Sequence, residues 1–503
     1  MKHVAHKLTA FLASRGFFYG ILGFFVLNAL WFVFTVLFPL AFDEDFHLGV
    51  IRIYAEQWSP FLSGQPANGD AYGSLATDPS YLFHYLMSFP LRFIALFTQS
   101  ETIQVIFLRL INVAIFAWSL VLYRKVLLRA KASPALTHTV LAIFVLIPIV
   151  PQLAAHINYD NVLMLLFAWL CLIVFRITES LQQRRIDVPA ILLFIIVCLF
   201  TSLIKYAALP LLVGAVIFLL YMAFRSYRGH WRQLYKGAKG GFVRINRRTK
   251  IVLLTVLFIG LGLFAQRYVV NMVKYQSPVP DCGKVLRVDQ CVKYGPWGRD
   301  HGLEQSKDKD FQPDVGYFVK EWLKGMRHRL FFAVSGAKTG FINYIELPLP
   351  VAAFTVLVVL GVLAIGIWFR AIFAGQPFLV FFGITTLVYL VVLLLDQFGM
   401  YKQTSVPVAI NGRYLLPILP VVAVIAARGF AYALAKFKAQ VIQPYLAVLT
   451  ILLFLQGGGM LTYLLRADTH WYWPNQTVRD INEGARKVIA PVIIEGDKYK
   501  DWH

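Results

Sequence analysis

Apolar blocks of about 20 residues recur along the chain, and they constrain its fold more than any other feature. A stretch of that length, wound as an α-helix, crosses a hydrocarbon layer roughly 30 Å thick. The 503-residue chain is 58% hydrophobic and 15% charged, whereas about 25% of the residues in soluble domains are charged. The pattern excludes a soluble enzyme and a disordered chain, and it predicts an all-α polytopic membrane protein.

Twelve blocks are long enough to be considered as membrane spans, and the charge of the loops between them tests which ones cross. They cover residues 17–41, 81–98, 102–123, 135–153, 161–177, 188–204, 207–224, 251–270, 350–369, 377–396, 414–435 and 441–464. Cytoplasmic loops are enriched in Lys and Arg. If all twelve blocks crossed, the basic clusters at 124–131 and 225–250 would lie opposite to the basic N-terminus.

The block 81–98 is the weakest of the twelve because it is short and contains Pro90 and Arg92. Placing it on the outer surface puts the basic clusters at 124–131, 184–185, 225–250, 370 and 436–438 in the cytoplasm. The first outer loop, 43–80, then carries six acidic residues and one basic residue. We therefore predict about eleven spans in a cell (inner or plasma) membrane, with the N-terminus inside and the C-terminus outside.

This topology divides the chain into four regions. They are a transmembrane module at 1–270 with an outer loop at 43–101, an outer loop region at 271–349, C-terminal spans at 350–464 and an outer tail at 465–503. Because the large polar segments all lie outside, we expect the protein to work there. If that compartment is oxidising, Cys282 and Cys291 should form a disulfide.

The net charge of +22 does not indicate a nucleic-acid partner. The segment 225–250 holds nine Lys or Arg residues and no acidic residue, and it lies between two apolar blocks. Basic segments beside a membrane contact anionic lipids. We expect membrane lipids as partners of this segment and no nucleic acid.

Three consecutive carboxylates, Asp43, Glu44 and Asp45, follow the first apolar block, and His47 comes shortly after them. Like charges this close raise the pKa of at least one carboxyl group unless a cation is near. An acidic N-cap on a surface helix explains one carboxylate, but not three and a histidine. The motif therefore indicates a functional site.

A second polar motif, 156–161, lies between the third and fourth predicted spans at the same outer boundary. It either caps the next helix or forms half of a site for an acceptor or a metal. In the second case His156, Asn158 and Asp160 would bind the substrate. Carboxylate oxygens suit a divalent cation such as Mg²⁺, Mn²⁺ or Ca²⁺, for which Asp43 and Asp160 are the candidate ligands, although nothing in the sequence requires one.

Two cationic motifs, Lys205-Tyr206 and Arg413-Tyr414, interrupt apolar sequence on the same side. Lys and Arg at this depth are costly unless they are paired or face a water-filled cavity. A phosphate would satisfy both cations. The alternative for each is snorkelling to the interface.

Arg109 lies nearer the middle of the second predicted span, where a guanidinium without a partner costs about 3 kcal/mol. An internal pair with an acidic residue would explain it. Asp396, at the end of the ninth predicted span, is either that partner or a helix-end residue.

These motifs resemble the plan of GT-C glycosyltransferases, polytopic enzymes that transfer sugar from a polyprenyl-phosphate carrier on the outer or lumenal face. In that plan an acidic motif, here 43–45, follows the first span, and juxtamembrane helices, here including 81–98, precede a span with an Arg-Leu pair, here Arg109-Leu110. A second acidic motif, here 158–161, follows the third span. The protein O-mannosyltransferases and the lipid A aminoarabinose transferase share this plan.

The chain also resembles a bacterial group with an Asp-Glu-x-x-His motif, a Lys-Tyr break and a Gly-Arg-Tyr-x-x-Pro-x-x-Pro segment. These stand here at 43–47, 205–206 and 412–420. The chain lacks the Trp-Trp-Asp signature of oligosaccharyltransferases. The resemblance therefore implies transfer of one sugar rather than of a whole oligosaccharide.

The resemblance implies an inverting glycosyltransferase with a polyprenyl-phosphate sugar as donor and a glycan, lipid or protein as acceptor. A carboxylate, Asp43 first and Glu44 or Asp45 next, would take the proton from the acceptor hydroxyl. Lys205 and Arg413 would hold the departing phosphate, and His47, Tyr206 and Tyr414 would complete the substrate site.

Two other functions remain open at this stage. A lipid-linked sugar flippase or transporter would need ionisable residues along a path through the membrane, whereas this chain places them mainly at one face. A structural membrane protein would leave the acidic motifs and the boundary cations unexplained.

Overall fold

A computed structural model of the chain describes residues 2–40, 43–331, 348–467 and 469–493. The structure is 79% helical, and within these ranges it contains no strand; Val36 and Tyr472 form an isolated bridge. The prediction of an all-α fold is confirmed.

The helices are numbered in chain order. The first half contains α1 Lys2–Ala13, α2 Arg15–Thr35, α3 Glu44–Ala55, α4 Leu82–Ala95, α5 Glu101–Arg129, α6 Pro134–Leu146, α7 Ile149–Ala154, α8 Tyr159–Gln182, α9 Val188–Ile204, α10 Leu209–Tyr227 and α11 Trp231–Val243. The second half contains α12 Arg247–Phe264, α13 Val270–Tyr275, α14 Cys282–Val285, α15 Val288–Cys291, α16 Gly295–Gln305, α17 Val315–Phe331, α18 Pro348–Phe373, α19 Pro377–Thr404, α20 Leu419–Lys436, α21 Gln443–Leu455, α22 Leu461–Arg466 and α23 Gln476–Ile493.

Eight helical segments of the described ranges are long and apolar enough to cross a membrane. They are Arg15–Thr35, Glu101–Arg129, Tyr159–Gln182, Tyr206–Tyr227, Arg247–Tyr275, Leu349–Phe373, Pro377–Thr404 and Leu419–Lys436. Three shorter apolar helices accompany them, at Pro134–Leu146, Val188–Ile204 and Gln440–Leu455. All of these segments overlap predicted spans, and the chain is a polytopic membrane protein. The count of eleven crossings and the choice of membrane stay predictions.

The core lies between the long helices of the first half and α19. Helix α5 packs along α8, and α10 packs along α19. Gly214 of α10 permits this second approach, because a Cβ atom there would lie 2.7 Å from the Cα atom of Thr385. Small residues allow membrane helices to pack closely, since apolar side chains gain little from leaving lipid.

Helices α3 and α4 pack against each other, and α4 also packs against α5 and α9. Arg92 of α4 donates to the carbonyl oxygens of Tyr54 at 2.7 Å and Ala55 at 3.0 Å, at the end of α3. A cation at a helix C-terminus satisfies carbonyl groups that have no partner within the helix. The arginine that weakens the block 81–98 as a span therefore fixes α4 against α3.

The region 271–349 contains α14 to α17, and its residues 332–347 lie outside the described ranges. A disulfide joins Cys282 and Cys291, as the sequence predicts. Lys293 pairs with Asp70 at 2.9 Å, which links this region to the first loop. The two predicted outer segments are therefore in contact.

Accessibility to thiol reagents will test the predicted topology. A Cys introduced at the exposed position Gln99, after α4, should react with an impermeant reagent added outside intact cells. A Cys at the exposed position Lys239, in the basic segment, should react only after permeabilisation. The opposite pattern would contradict the prediction that 81–98 stays on the outer surface.

Candidate functional site

A buried ion pair between Glu44 and Arg109 lies at the centre of the site. Arg109 donates from Nε to Oε1 at 2.9 Å and from Nη2 to Oε2 at 2.7 Å, and both side chains are fully buried. The two parallel bonds are the strongest geometry available to an arginine and a carboxylate. The internal pair that would explain Arg109 therefore exists, and its acid is Glu44. Asp396 is neither that partner nor a helix-end residue, because it is exposed and α19 continues to Thr404.

The same two side chains hold three further segments by hydrogen bonds. The backbone N–H groups of Leu40 and Ile157 donate to the two oxygens of Glu44, at 2.6 Å and 3.2 Å. Arg109 Nη1 donates to the Val36 carbonyl at 2.7 Å. Burial alone would raise the pKa of Glu44, but the charge and hydrogen bonds of Arg109 lower it below its ordinary value.

Asp43 immediately precedes α3, yet its side chain makes no capping hydrogen bond to that helix. Its backbone is left-handed, with φ 69°, a conformation that Asp tolerates better than most residues do. The carboxylate is half-exposed and accepts from Arg413 Nη2 at 3.0 Å. The N-cap explanation is therefore wrong for Asp43, whose carboxylate faces the cation of a distant segment.

Lys205 and Asp160 form a second pair, and both are largely buried. Lys205 lies in an extended break between α9 and the turn Tyr206–Ala208, which carries its side chain to the start of α8. Only one oxygen of Asp160 is engaged; Oδ2 is buried and has no hydrogen-bond partner in the part of the chain that the structure describes. The snorkelling alternative for Lys205 is wrong, since its ammonium group pairs inside the protein.

The ring of Tyr414 brings the two cations together. It lies 5.2 Å from Lys205 Nζ and 5.5 Å from the guanidinium carbon of Arg413. A second ring, that of Tyr159, lies 4.5 Å from Lys205 Nζ. Aromatic faces attract cations over such distances. The pairs Asp43–Arg413 and Asp160–Lys205 therefore adjoin two phenol rings.

The second motif serves partly as a helix cap. Asn158 is the N-cap of α8, accepting from the Asp160 N–H at 2.8 Å. Asn161 donates to Asn112 of α5 at 3.0 Å and to the His156 carbonyl at 2.9 Å. Asn158 and Asn161 thus hold the start of α8, while Asp160 remains available to Lys205.

Three histidines are buried beside the ion pairs. His47 Nδ1 and His84 Nε2 are 2.8 Å apart, their ring planes are inclined by 20°, and the ring of Tyr159 lies edge-on to His47 at 4.6 Å. Burial lowers the pKa of His84 to about 3 and that of His156 to about 4, and it lowers that of His47 well below its ordinary value. All three rings are therefore neutral near pH 7.

Sequence reasoning missed His84, because it lies in a block considered only for its hydrophobicity. Two of the predicted site residues, Asp45 and Tyr206, take no part in the ion pairs. Asp45 is exposed and has no ionic partner in the described ranges. Tyr206 is partly exposed, and its backbone N–H donates to Ser80 Oγ at 3.0 Å.

The described ranges contain no group of three or more His, Cys, Asp or Glu side chains that could hold a metal ion. The two predicted ligands, Asp43 and Asp160, each face a cation of the protein instead. A divalent cation would have to displace Arg413 and Lys205 from them.

The chain is thus an all-α polytopic membrane protein with a cluster of three ion pairs, Glu44–Arg109, Asp43–Arg413 and Asp160–Lys205. In comparisons with known proteins, no family model, no curated protein and no solved structure matches the chain.

Removing either partner of the Glu44–Arg109 pair should destabilise the protein strongly. Glu44→Gln and Arg109→Met each leave a buried polar group without its partner, which costs about 3–5 kcal/mol. The matched control is Glu179→Gln, because Glu179 pairs with Arg129 while both remain more than a third exposed; its cost should stay below about 1 kcal/mol. Unfolding in detergent measures the loss of stability in each variant. Equal losses in the buried-pair variants and in Glu179→Gln would contradict the central role of the buried pair.

Acidification should destabilise the site through its buried histidines. A folded-state pKa below the unfolded value means that the unfolded chain binds more protons, so stability is lost as the pH falls below about 6.5. At pH 5, His84 and His156 should each cost about 2 kcal/mol. The melting temperature should fall between pH 7.5 and pH 5, and it should fall less in His84→Gln. An equal fall in that variant would contradict this assignment.

Proposed function

We propose that the protein is a membrane glycosyltransferase, which moves a single sugar from a polyprenyl-phosphate donor to an acceptor hydroxyl on the outer membrane face, with inversion. One observation carries the proposal: the carboxylate–cation pairs Asp43–Arg413 and Asp160–Lys205 adjoin a common tyrosine ring. Sugar transfer from a lipid phosphate needs both a base for the acceptor and cations for the leaving group.

The two cations suit a phosphate leaving group. Arg413 offers several donors in a planar fork, and Lys205 adds a compact charge. Both side chains are largely buried, so their attraction for a phosphate is less weakened by water than it would be at the surface. As the bond between the anomeric carbon and the phosphate oxygen breaks, these groups would stabilise the charge that develops on the phosphate.

Among the three adjacent carboxylates, Asp43 is the best candidate for the base. Both oxygens of Glu44 already accept hydrogen bonds from Arg109 and from backbone N–H groups. Glu44 therefore holds the site together and is not a candidate for the base. Asp45 is exposed and has no ionic partner in the described ranges, whereas Asp43 is half-exposed and next to Arg413.

The pairing of Asp43 with Arg413 suggests an order of events. While Asp43 Oδ2 accepts a hydrogen bond from Arg413, that oxygen is engaged and less free to take a proton from an acceptor hydroxyl. A donor phosphate would compete with Asp43 for Arg413. The base would thus become available when the donor is bound, and donor binding would precede activation of the acceptor hydroxyl.

A lipid-linked sugar flippase is the alternative function, and the product distinguishes the two. Transfer releases polyprenyl phosphate and joins the sugar to an acceptor glycan, lipid or protein, whereas a flippase leaves the sugar on its carrier.

A divalent cation, if the reaction uses one, would take the place of Arg413 or Lys205 beside Asp43 and Asp160.

Asp43→Asn should have opposite effects on turnover and on donor binding. Losing a general base lowers the rate roughly 10²- to 10⁴-fold. Affinity for polyprenyl phosphate should rise, by roughly 2- to 10-fold, because the anion that competes for Arg413 has been neutralised. Turnover is measured with labelled donor, and affinity by equilibrium binding in detergent. Asp70→Asn, which removes an outer-loop carboxylate paired with Lys293, should change neither.

Three further results bear on the same prediction. Arg413→Ala should weaken polyprenyl-phosphate binding roughly 10- to 100-fold, the value of a charged hydrogen bond. Because Lys205→Ala leaves Asp160 buried without its partner, the double variant Lys205→Ala/Asp160→Asn tests the lysine in a neutral background. Near-normal turnover in Asp43→Asn would overturn the assignment of Asp43 as the base. Unchanged affinity of Asp43→Asn for polyprenyl phosphate would overturn the proposal that the donor phosphate competes with Asp43 for Arg413.

A further inference from the structure

Helix α23 carries an exposed apolar stripe that plays no part in the site. Asn482 and Ala490 are buried and mark the face that α23 turns toward the protein. Ile481, Val488 and Val492 are 65%, 73% and 84% exposed, and residues seven and four positions apart lie on one side of a helix. The stripe therefore runs along the helix, away from its buried face.

A polar face runs beside this stripe. Gln476, Asp480 and Lys487 are exposed, and at 3.6 residues per turn they lie about a third of a turn from the stripe and from the buried face. A helix that crossed the membrane would carry these charged groups through hydrocarbon, which is costly. One polar and one apolar face along the whole length are typical of a helix that lies in the membrane surface.

A contact with α2 places α23 at the depth of the bilayer. Leu27, Trp31 and Phe34 lie on one face of α2, because they are four and three residues apart. Leu27 and Phe34 are 69% and 49% exposed on a helix that can span a membrane, so this face meets lipid. Between them, Trp31 Nε1 donates to Asn482 Oδ1 at 2.7 Å. Helix α23 therefore contacts the lipid-facing side of a span.

Further contacts hold α23 in this position. Ala490 packs with Leu465 of α22, and Ile489 packs against the same two side chains. Arg486 Nη1 donates to the Ala467 carbonyl at 3.0 Å. These contacts all use the protein-facing side of α23, so within the described ranges they leave the apolar stripe exposed.

We infer that α23 is an interfacial helix, whose stripe of Ile481, Val488 and Val492 inserts among the acyl chains of the leaflet on the side of the site. Acyl chains are the occupant that the position favours, because the neighbouring face of α2 already meets lipid. The polar face then points to the headgroups and water. This membrane contact does not depend on whether the protein transfers sugar.

The segment before α23 joins this membrane contact to the site. The Leu37 N–H donates to the Trp471 carbonyl at 3.0 Å, and the Trp473 N–H donates to the Thr35 carbonyl at 2.9 Å. The ring of Trp473 lies 5.7 Å from the guanidinium carbon of Arg109. Insertion of α23 therefore holds the residues around the central ion pair beside the membrane surface.

Spin labels on adjacent residues of α23 test the orientation of the helix. The full-length protein, with its free cysteines replaced (Cys171→Ala/Cys198→Ala), is reconstituted in phosphatidylcholine nanodiscs and labelled at one introduced cysteine. Oxygen concentrates among acyl chains, and a charged nickel complex stays in water. The ratio of oxygen to nickel accessibility should be several-fold higher in the stripe variants than in their polar neighbours. The stripe variants are Ile481→Cys and Val488→Cys, and the matched controls are Asp480→Cys and Lys487→Cys.

Two results would overturn the inference. Equal nickel accessibility at the stripe and control positions would mean that the stripe faces water. Low accessibility of the stripe to both reagents would mean that protein, such as a second copy of the chain, covers it. Leu27→Cys, on the lipid-facing side of α2, gives the reference value for a label in lipid.

Photocrosslinking tests the same contact in the unmodified chain. Phosphatidylcholine with an aryl diazirine at the end of one acyl chain should attach to residues 481, 488 or 492, as well as to Leu27 or Phe34 of α2. Mass spectrometry of the digested protein locates the adducts. Labelling of α2 without any adduct on the stripe would show that α23 lies outside the acyl-chain region, contrary to the inference.

Discussion

The site depends on the buried ion pair between Glu44 and Arg109. A carboxylate and a guanidinium removed from water are stable together only when every lone pair and every proton is satisfied. Here the two side chains also bond the end of α2, the segment before α3 and the loop before α8. This interaction therefore fixes the start of α3, where Asp43 and His47 lie.

The degree to which each carboxylate is satisfied separates its structural role from a chemical one. Glu44 accepts four hydrogen bonds and has no capacity left for a substrate. Asp43 is half-exposed, and one oxygen of Asp160 has no partner in the described ranges. A group that must change partners during a reaction needs such spare hydrogen-bonding capacity. The fully hydrogen-bonded pair Glu44–Arg109 thus stabilises the site, while Asp43 and Asp160 keep spare hydrogen-bonding capacity.

Sequence reasoning found the right segments but could not separate the residues within them. The sequence does not distinguish the three adjacent acidic residues from one another. In the structure, the left-handed backbone at Asp43 directs its side chain toward Arg413, and the first turn of α3 directs Glu44 inward. His84 was missed for the same reason: an imidazole in an apolar helix carries no signal until the helix has a partner. Its neighbour His47 belongs to another helix, and only the packing of α3 on α4 joins them.

The sequence by itself determined the all-α architecture, the apolar helices and the location of the polar motifs beside helix ends, because hydrophobic length and charge are local properties of a chain in a membrane. Tertiary structure alone decided which charges meet. The partners are 65 residues apart for Arg109 and Glu44, 45 for Lys205 and Asp160, and 370 for Arg413 and Asp43. No periodicity links such positions, since pairing across these distances depends on how whole helices pack, and that depends on side-chain shape summed over the entire core.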